Sequence, residues 1–135
     1  MDENKYNTID EAKADFEDNI CELVKIASYI CVDNPVLATL KVLIQEIKDL
    51  NCFDIYNRCQ KKVHDVRQYI RKRDDSYFLN RDYSAYIKKD DNENFILTIV
   101  SMIKTEWNSL DKPTKNCIWR IANRLADAEI FINGE

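Results

Sequence analysis

The sequence predicts an all-α, single-domain bundle of about five long helices plus one short helical or irregular segment. Three observations carry that reading. The 135 residues hold one Gly and two Pro, too few for the tight turns of β-hairpins and βα loops. Apolar residues recur at three- and four-residue steps along most of the chain, the period of an amphipathic helix. Helix-start signals precede several of these runs.

The elements follow in order. Thr8 and Glu11 of "TIDE" have the spacing of a capping box. Behind them Ala12, Phe16, Ile20, Leu23, Val24, Ala27 and Ile30 form one stripe, predicting a helix to about Val32. "DNP" stops it, with Asn34 or Asp33 placed to cap a second helix that begins at Pro35. So short a connection makes the two helices antiparallel neighbours. The second stripe, Val36 to Leu50, is wide, and Val42 adds apolar surface beside it; this reads as the most buried helix. The phase changes near Asn51, predicting a break at 50–53 although neither Gly nor Pro enforces it. A third helix carries Phe53, Tyr56, Cys59, Val63, Val66 and Ile70. Residues 74–94 are the least regular, and their aromatics suit a short packed helix; "DDNEN" reads as a turn that caps the next one. The fifth segment covers about 93–109, with Phe95, Ile96, Ile99, Val100, Ile103 and Trp107 as its stripe. Asp111 and Pro113 start the last helix, which carries Cys117, Ile118, Ile121, Leu125, Ala128 and Ile132 and stops at Gly134. The organisation is an N-terminal tail (1–8), a bundle domain (9–132) and a C-terminal tail (133–135).

At 45% hydrophobic and 33% charged residues, the composition is that of a folded soluble domain rather than a disordered chain. That length supports a core without obligatory disulfides or metal. No apolar run is long enough to span a membrane, and the acidic N-terminus lacks the h-region of a secretory signal. The expected location is therefore cytoplasmic, and the five cysteines read as free thiols.

The chemistry is mostly exclusion. A single Gly, at 134, leaves no Gly-rich phosphate loop, dinucleotide fingerprint or nucleophile elbow. A single His excludes the two-His zinc helix, and there is no CxxC pair. Cys59 and His64 are five residues apart, about 140° on one helix, so they do not share a metal. No nucleophile, base and orienter assemble by spacing, and no catalytic residue, cofactor or metal is expected.

Charge is segregated. Residues 1–23 carry eight acids and two bases, whereas residues 53–73 carry seven bases and two acids. On a helical projection Arg58, Lys61, Lys62, Lys72 and Arg73 share one flank with Tyr69 and Asp65. Arg67 and Arg71 fall on the other flank, and His64 points away from the apolar stripe. The five-base flank is a candidate contact for phosphates, with Tyr69 available to stack, or for an acidic partner. A solvated face, or pairing with the acidic first helix, is the simpler account, since a charge run of this size is not specific. A sequence pI near 5.1 is unlike a nucleic-acid module, which is usually basic overall. Trp107 and Trp119 read as core at a helix–helix corner.

The stretch "WNSLDKPTKNCIWRIANRL", Trp107 to Leu125, resembles a pattern in small uncharacterised helical proteins of nucleocytoplasmic large DNA viruses. The resemblance implies a viral source and a virion or host-cytoplasm location, but no activity. The functional expectation is a non-enzymatic interaction or structural protein, with a protein partner or itself as a homodimer. The alternative is a nucleic-acid-binding regulator that uses Arg58, Lys61, Lys62, Tyr69, Lys72 and Arg73.

Overall fold

The computed structural model of the chain describes residues 6–83 and 95–134. Among these residues there is no strand. The helices are α1 (Ile9–Ile30), α2 (Pro35–Asp49), α3 (Asp54–Arg71), the short α4 (Asp75–Asn80), α5 (Phe95–Glu106) and α6 (Lys112–Asn133). A 3₁₀ turn, Trp107–Ser109, precedes α6. The all-α bundle is as expected from the sequence, while the "DDNEN" turn lies outside the described residues.

Local chemistry sets the helix ends. Thr8 caps α1 by accepting from the Glu11 N–H; its hydroxyl in turn donates to the Glu11 carboxylate at 3.4 Å. Asn34 accepts from the N–H groups of Val36 and Leu37, and Asp111 accepts from that of Thr114. The break after α2 is real and has its own device. Asn51 adopts φ 53° and Phe53 φ 57°, left-handed conformations that Asn tolerates better than most residues. Phe53 makes no side-chain cap for α3. Glu17, buried on α1, does it instead by accepting from the Tyr56 N–H at 3.2 Å. At the other end of α3, Arg73 takes φ 50°, with Asp74 N–H bonded to Tyr69 O and Arg73 N–H to Ile70 O. These two bonds form a Schellman motif with Arg where Gly is usual.

The longest helices, α1 and α6, pack along each other, and α3 packs on α6. Pairs from Arg73–Asn116 at one end to Gln60–Asn133 at the other make α3 and α6 antiparallel. The core centres on Phe16, Ile20, Ile55, Cys59, Phe95 and Ile99, all fully buried; Phe16 meets Tyr56 edge-on, centroids 5.0 Å apart. Tyr6, within the expected N-terminal tail, is buried against Phe131 and donates its hydroxyl to Asp15.

One expectation is overturned. The second helix is not the most buried: four of its fifteen residues are buried, against seven of twelve on α5. The wide stripe of α2 exceeds what its neighbours α1 and α3 cover, leaving Val36, Val42 and Leu50 exposed.

Candidate functional site

The bases of α3 divide between its two sides, not as one patch. Toward α6 they form a polar seam. Glu129 is fully buried, and its carboxylate accepts from Arg67 Nη1 at 3.0 Å and Asn133 Nδ2 at 3.1 Å. His64 Nδ1 lies 2.9 Å from the same carboxylate. Arg67 also donates to the Gly134 carbonyl, and Asn133 to the Tyr56 hydroxyl. One turn away, Arg71 pairs with Asp127 and donates to Asn123 Oδ1 at 2.9 Å. A buried carboxylate is tolerable only when paired and hydrogen-bonded, and no buried side-chain polar atom among the described residues lacks a partner. His64, though half-exposed, is therefore a member of an interhelical network. The acids that meet the bases on this side of α3 come from α6; those of α1 turn elsewhere, with Asp18 bound by Lys48 and Glu17 capping α3.

The five-base flank disperses. Arg58 is bound to Asp54 at 2.9 Å, and Lys61 lies 3.6 Å from Asp65, each pair one turn apart on α3. Lys62 reaches the wall of a cavity. Tyr69 stacks face to face on Tyr77, centroids 3.6 Å apart and planes 4° apart, so one ring face is taken. Lys72 is exposed, and Arg73 leaves the flank to donate to Asn116 on α6. The sequence-predicted set Arg58, Lys61, Lys62, Tyr69, Lys72 and Arg73 is thus not gathered into one surface.

On the side of α3 facing α4 and α5 lies a half-enclosed cavity of about 210 Å³. Its walls are Val63, Val66 and Ile70 of α3, Tyr77 and Phe78 of α4, Ile96, Val100 and Ile103 of α5, Trp107, and Trp119 and Ala122 of α6. Aromatic contacts line it in series. Tyr77 meets Phe78, Phe78 meets Trp119, and Trp119 meets Trp107, each edge-on. The polar groups on its wall are Lys62, Asp65, Asp75, Arg81 and Lys104. Arg81 sits over the rings of Tyr77 and Tyr83, and Lys104 donates to the Arg81 carbonyl at 2.6 Å. Burial pushes the Tyr83 hydroxyl above its ordinary pKa. A mostly apolar recess with a few polar groups is the usual form of a binding site.

Among the described residues, no group of three or more His, Cys, Asp or Glu side chains is placed to hold a metal. The cysteines are free, and burial pushes the Cys59 thiol well up, away from the reactive thiolate. No helix among the described residues is long and apolar enough to cross a membrane.

No family model matches the chain, and neither a curated protein nor a solved structure matches it. Sequence reasoning missed Glu129 and the cavity. Glu129 had a signal, an acid on the helix face next to Leu125, Ala128 and Ile132. The cavity had none, because it depends on how four helices meet.

Proposed function

We propose that the protein is a non-enzymatic interaction module that takes an apolar anchor of a partner protein into the recess between α3, α4, α5 and α6. The observation that carries this reading is the aromatic-walled cavity of about 210 Å³. Its size suits one or two bulky side chains from a partner helix, the buried aromatic or aliphatic anchors that dominate protein interfaces. The two tryptophans that the sequence places in the core serve the site as wall rather than as protruding anchors.

The test is selection from a displayed library of helical peptides on the unmodified protein, followed by binding to Ala122→Trp, which fills the recess from α6. Selected peptides should carry paired large apolar residues, shift the emission of Trp107 and Trp119, and lose binding to the variant. Peptides that bind Ala122→Trp equally well would sink the reading.

Self-association is a second reading, favoured by a separate observation. Tyr29, Val32, Val42 and Leu50, on α1, α2 and the residues flanking them, are 79%, 77%, 59% and 72% exposed, apolar side chains that a second copy of the chain would cover. Sedimentation at rising concentration, with and without Leu50→Lys and Val42→Lys, decides it; a monomer throughout rules it out. The large-DNA-virus source implied by residues 107–125 belongs to the same proposal, in which a small module of this kind acts on host or virion proteins.

A further inference from the structure

We infer that the face shared by the end of α3 and the first half of α6 binds the phosphate backbone of a nucleic-acid duplex, through Arg71, Lys72, Arg73, Arg120 and Arg124. Two hydrogen bonds assemble this face. Arg73 reaches Asn116 at 3.4 Å, and Arg71 reaches Asn123 at 2.9 Å. Asn116, Arg120 and Asn123 follow one another at helical-turn spacing, so Arg120 stands between the two tethered arginines, and Arg124 is one turn further on. All five bases are exposed. Among the described residues, four acids stand near this face: Asp127 is paired with Arg71, Asp74 accepts from Ser76 and the Tyr77 N–H, Asp111 accepts from the Thr114 N–H, and exposed Asp75 follows Arg73 by two residues; Lys72, Arg73, Arg120 and Arg124 are the bases of the face that Asp127 does not hold. Four of the five bases are arginines, whose planar forks match phosphate oxygens.

The composition of the face selects the partner. A protein interface needs an apolar centre, but the exposed large apolar residues among those described are Ile9, Tyr29, Val32, Val36, Val42 and Leu50, all on α1, α2 and the residues flanking them. A single strand needs aromatic platforms for its unstacked bases. Tyr69, the one aromatic on the basic helix flank, is instead stacked on Tyr77. Bases without an apolar anchor, whose nearest ring already has one face stacked, suit a duplex backbone, where counterion release supplies the affinity. The overall acidity of the chain does not oppose this, since charges beyond about 8 Å are largely screened at physiological ionic strength. Residues 1–23, with eight acids and two bases, carry −6 by themselves against −4 for the whole chain, so the remainder of the chain is not acidic.

The experiment is fluorescence anisotropy of the full chain with a labelled 24-base-pair DNA duplex of arbitrary sequence, an RNA duplex of the same length, the single DNA strand and polyglutamate, at 50 and 200 mM salt. With Arg71 held by Asp127, the four phosphate contacts of Lys72, Arg73, Arg120 and Arg124 should lower duplex affinity about a hundredfold over that salt range. Arg120→Glu with Arg124→Glu should weaken binding more than tenfold and reduce the salt slope by about two. The control Lys25→Glu with Lys41→Glu, equal in charge change and exposed on α1 and α2, should bind as the unmodified chain does. Arg120→Gln with Arg124→Gln keeps the test valid if charge reversal disturbs folding, which circular dichroism reports. Failure of both duplexes to bind at 50 mM salt, tighter binding to the single strand or to polyglutamate, or equal loss in the control would overturn the inference.

Discussion

The two sides of α3 face neighbours of similar apolar content but close in opposite ways. Toward α6 the space is filled, and its polar groups are matched one to another around Glu129. Toward α4 and α5 the walls are aromatic and aliphatic, and a cavity of about 210 Å³ is left between them. The filled side fixes which helix pairs with which, since a buried carboxylate tolerates only the register that brings Arg67, His64 and Asn133 to it. The cavity side forgoes packing contacts that a solid core would have. The cavity therefore comes at a cost in stability that the filled side does not bear.

Of the substitutions that test this contrast, Glu129→Ala should have the greatest effect. It leaves Arg67 without its buried partner and should cost about 3–5 kcal/mol, measured by urea unfolding. A paired test sharpens the contrast. Ala126, fully buried on α6, and Ala122, on the cavity wall, are one turn apart. Ala126→Leu should destabilise by about 1–3 kcal/mol through overpacking, whereas Ala122→Leu should leave stability nearly unchanged. Equal costs would mean that the cavity is as tightly closed as the seam. Tyr69→Ala should cost about 0.5–1.5 kcal/mol beyond its lost area, the worth of the stack on Tyr77.

The smallest effect concerns pH. Burial raises the Glu17 pKa above its ordinary value, opposed by the α3 N–H groups it caps. The folded chain therefore holds that proton more tightly than the unfolded chain does. The associated stability is present below the unfolded pKa and is lost as pH rises through the raised folded one. Unfolding measured from pH 4 to 7 should accordingly decline less steeply in Glu17→Gln than in the unmodified chain. An unchanged slope would mean that the α3 N–H groups fully offset the burial.

Local chemistry was legible where it is local. Asn34, Asp111 and Pro35 mark helix starts because capping depends on neighbours in sequence, and the 50–53 break shows as a phase change that Asn51 then makes sterically possible. Burial was less legible. The broad stripe of α2 measures how apolar the helix is, not how much of it the bundle has room to cover. The basic stretch was hardest. Its projection sets Arg67 and Arg71 apart from Arg58 and Lys61, but the partners Glu129, Asn123 and Asn116 lie more than forty residues away, and only the antiparallel docking of α6 brings them in. Arg73 escapes any projection, because its left-handed backbone takes it off the helix.

The cap that Glu17 places on α3 has a consequence for assembly. The first turn of α3 is completed by a residue 39 positions earlier in the chain, so it forms only when α1 is already docked. An excised 54–71 peptide should fray at its N-terminus, and in the intact protein the Tyr56 amide should exchange with solvent at the rate of α1 undocking. That amide is a built-in clock for the cooperativity of the whole bundle.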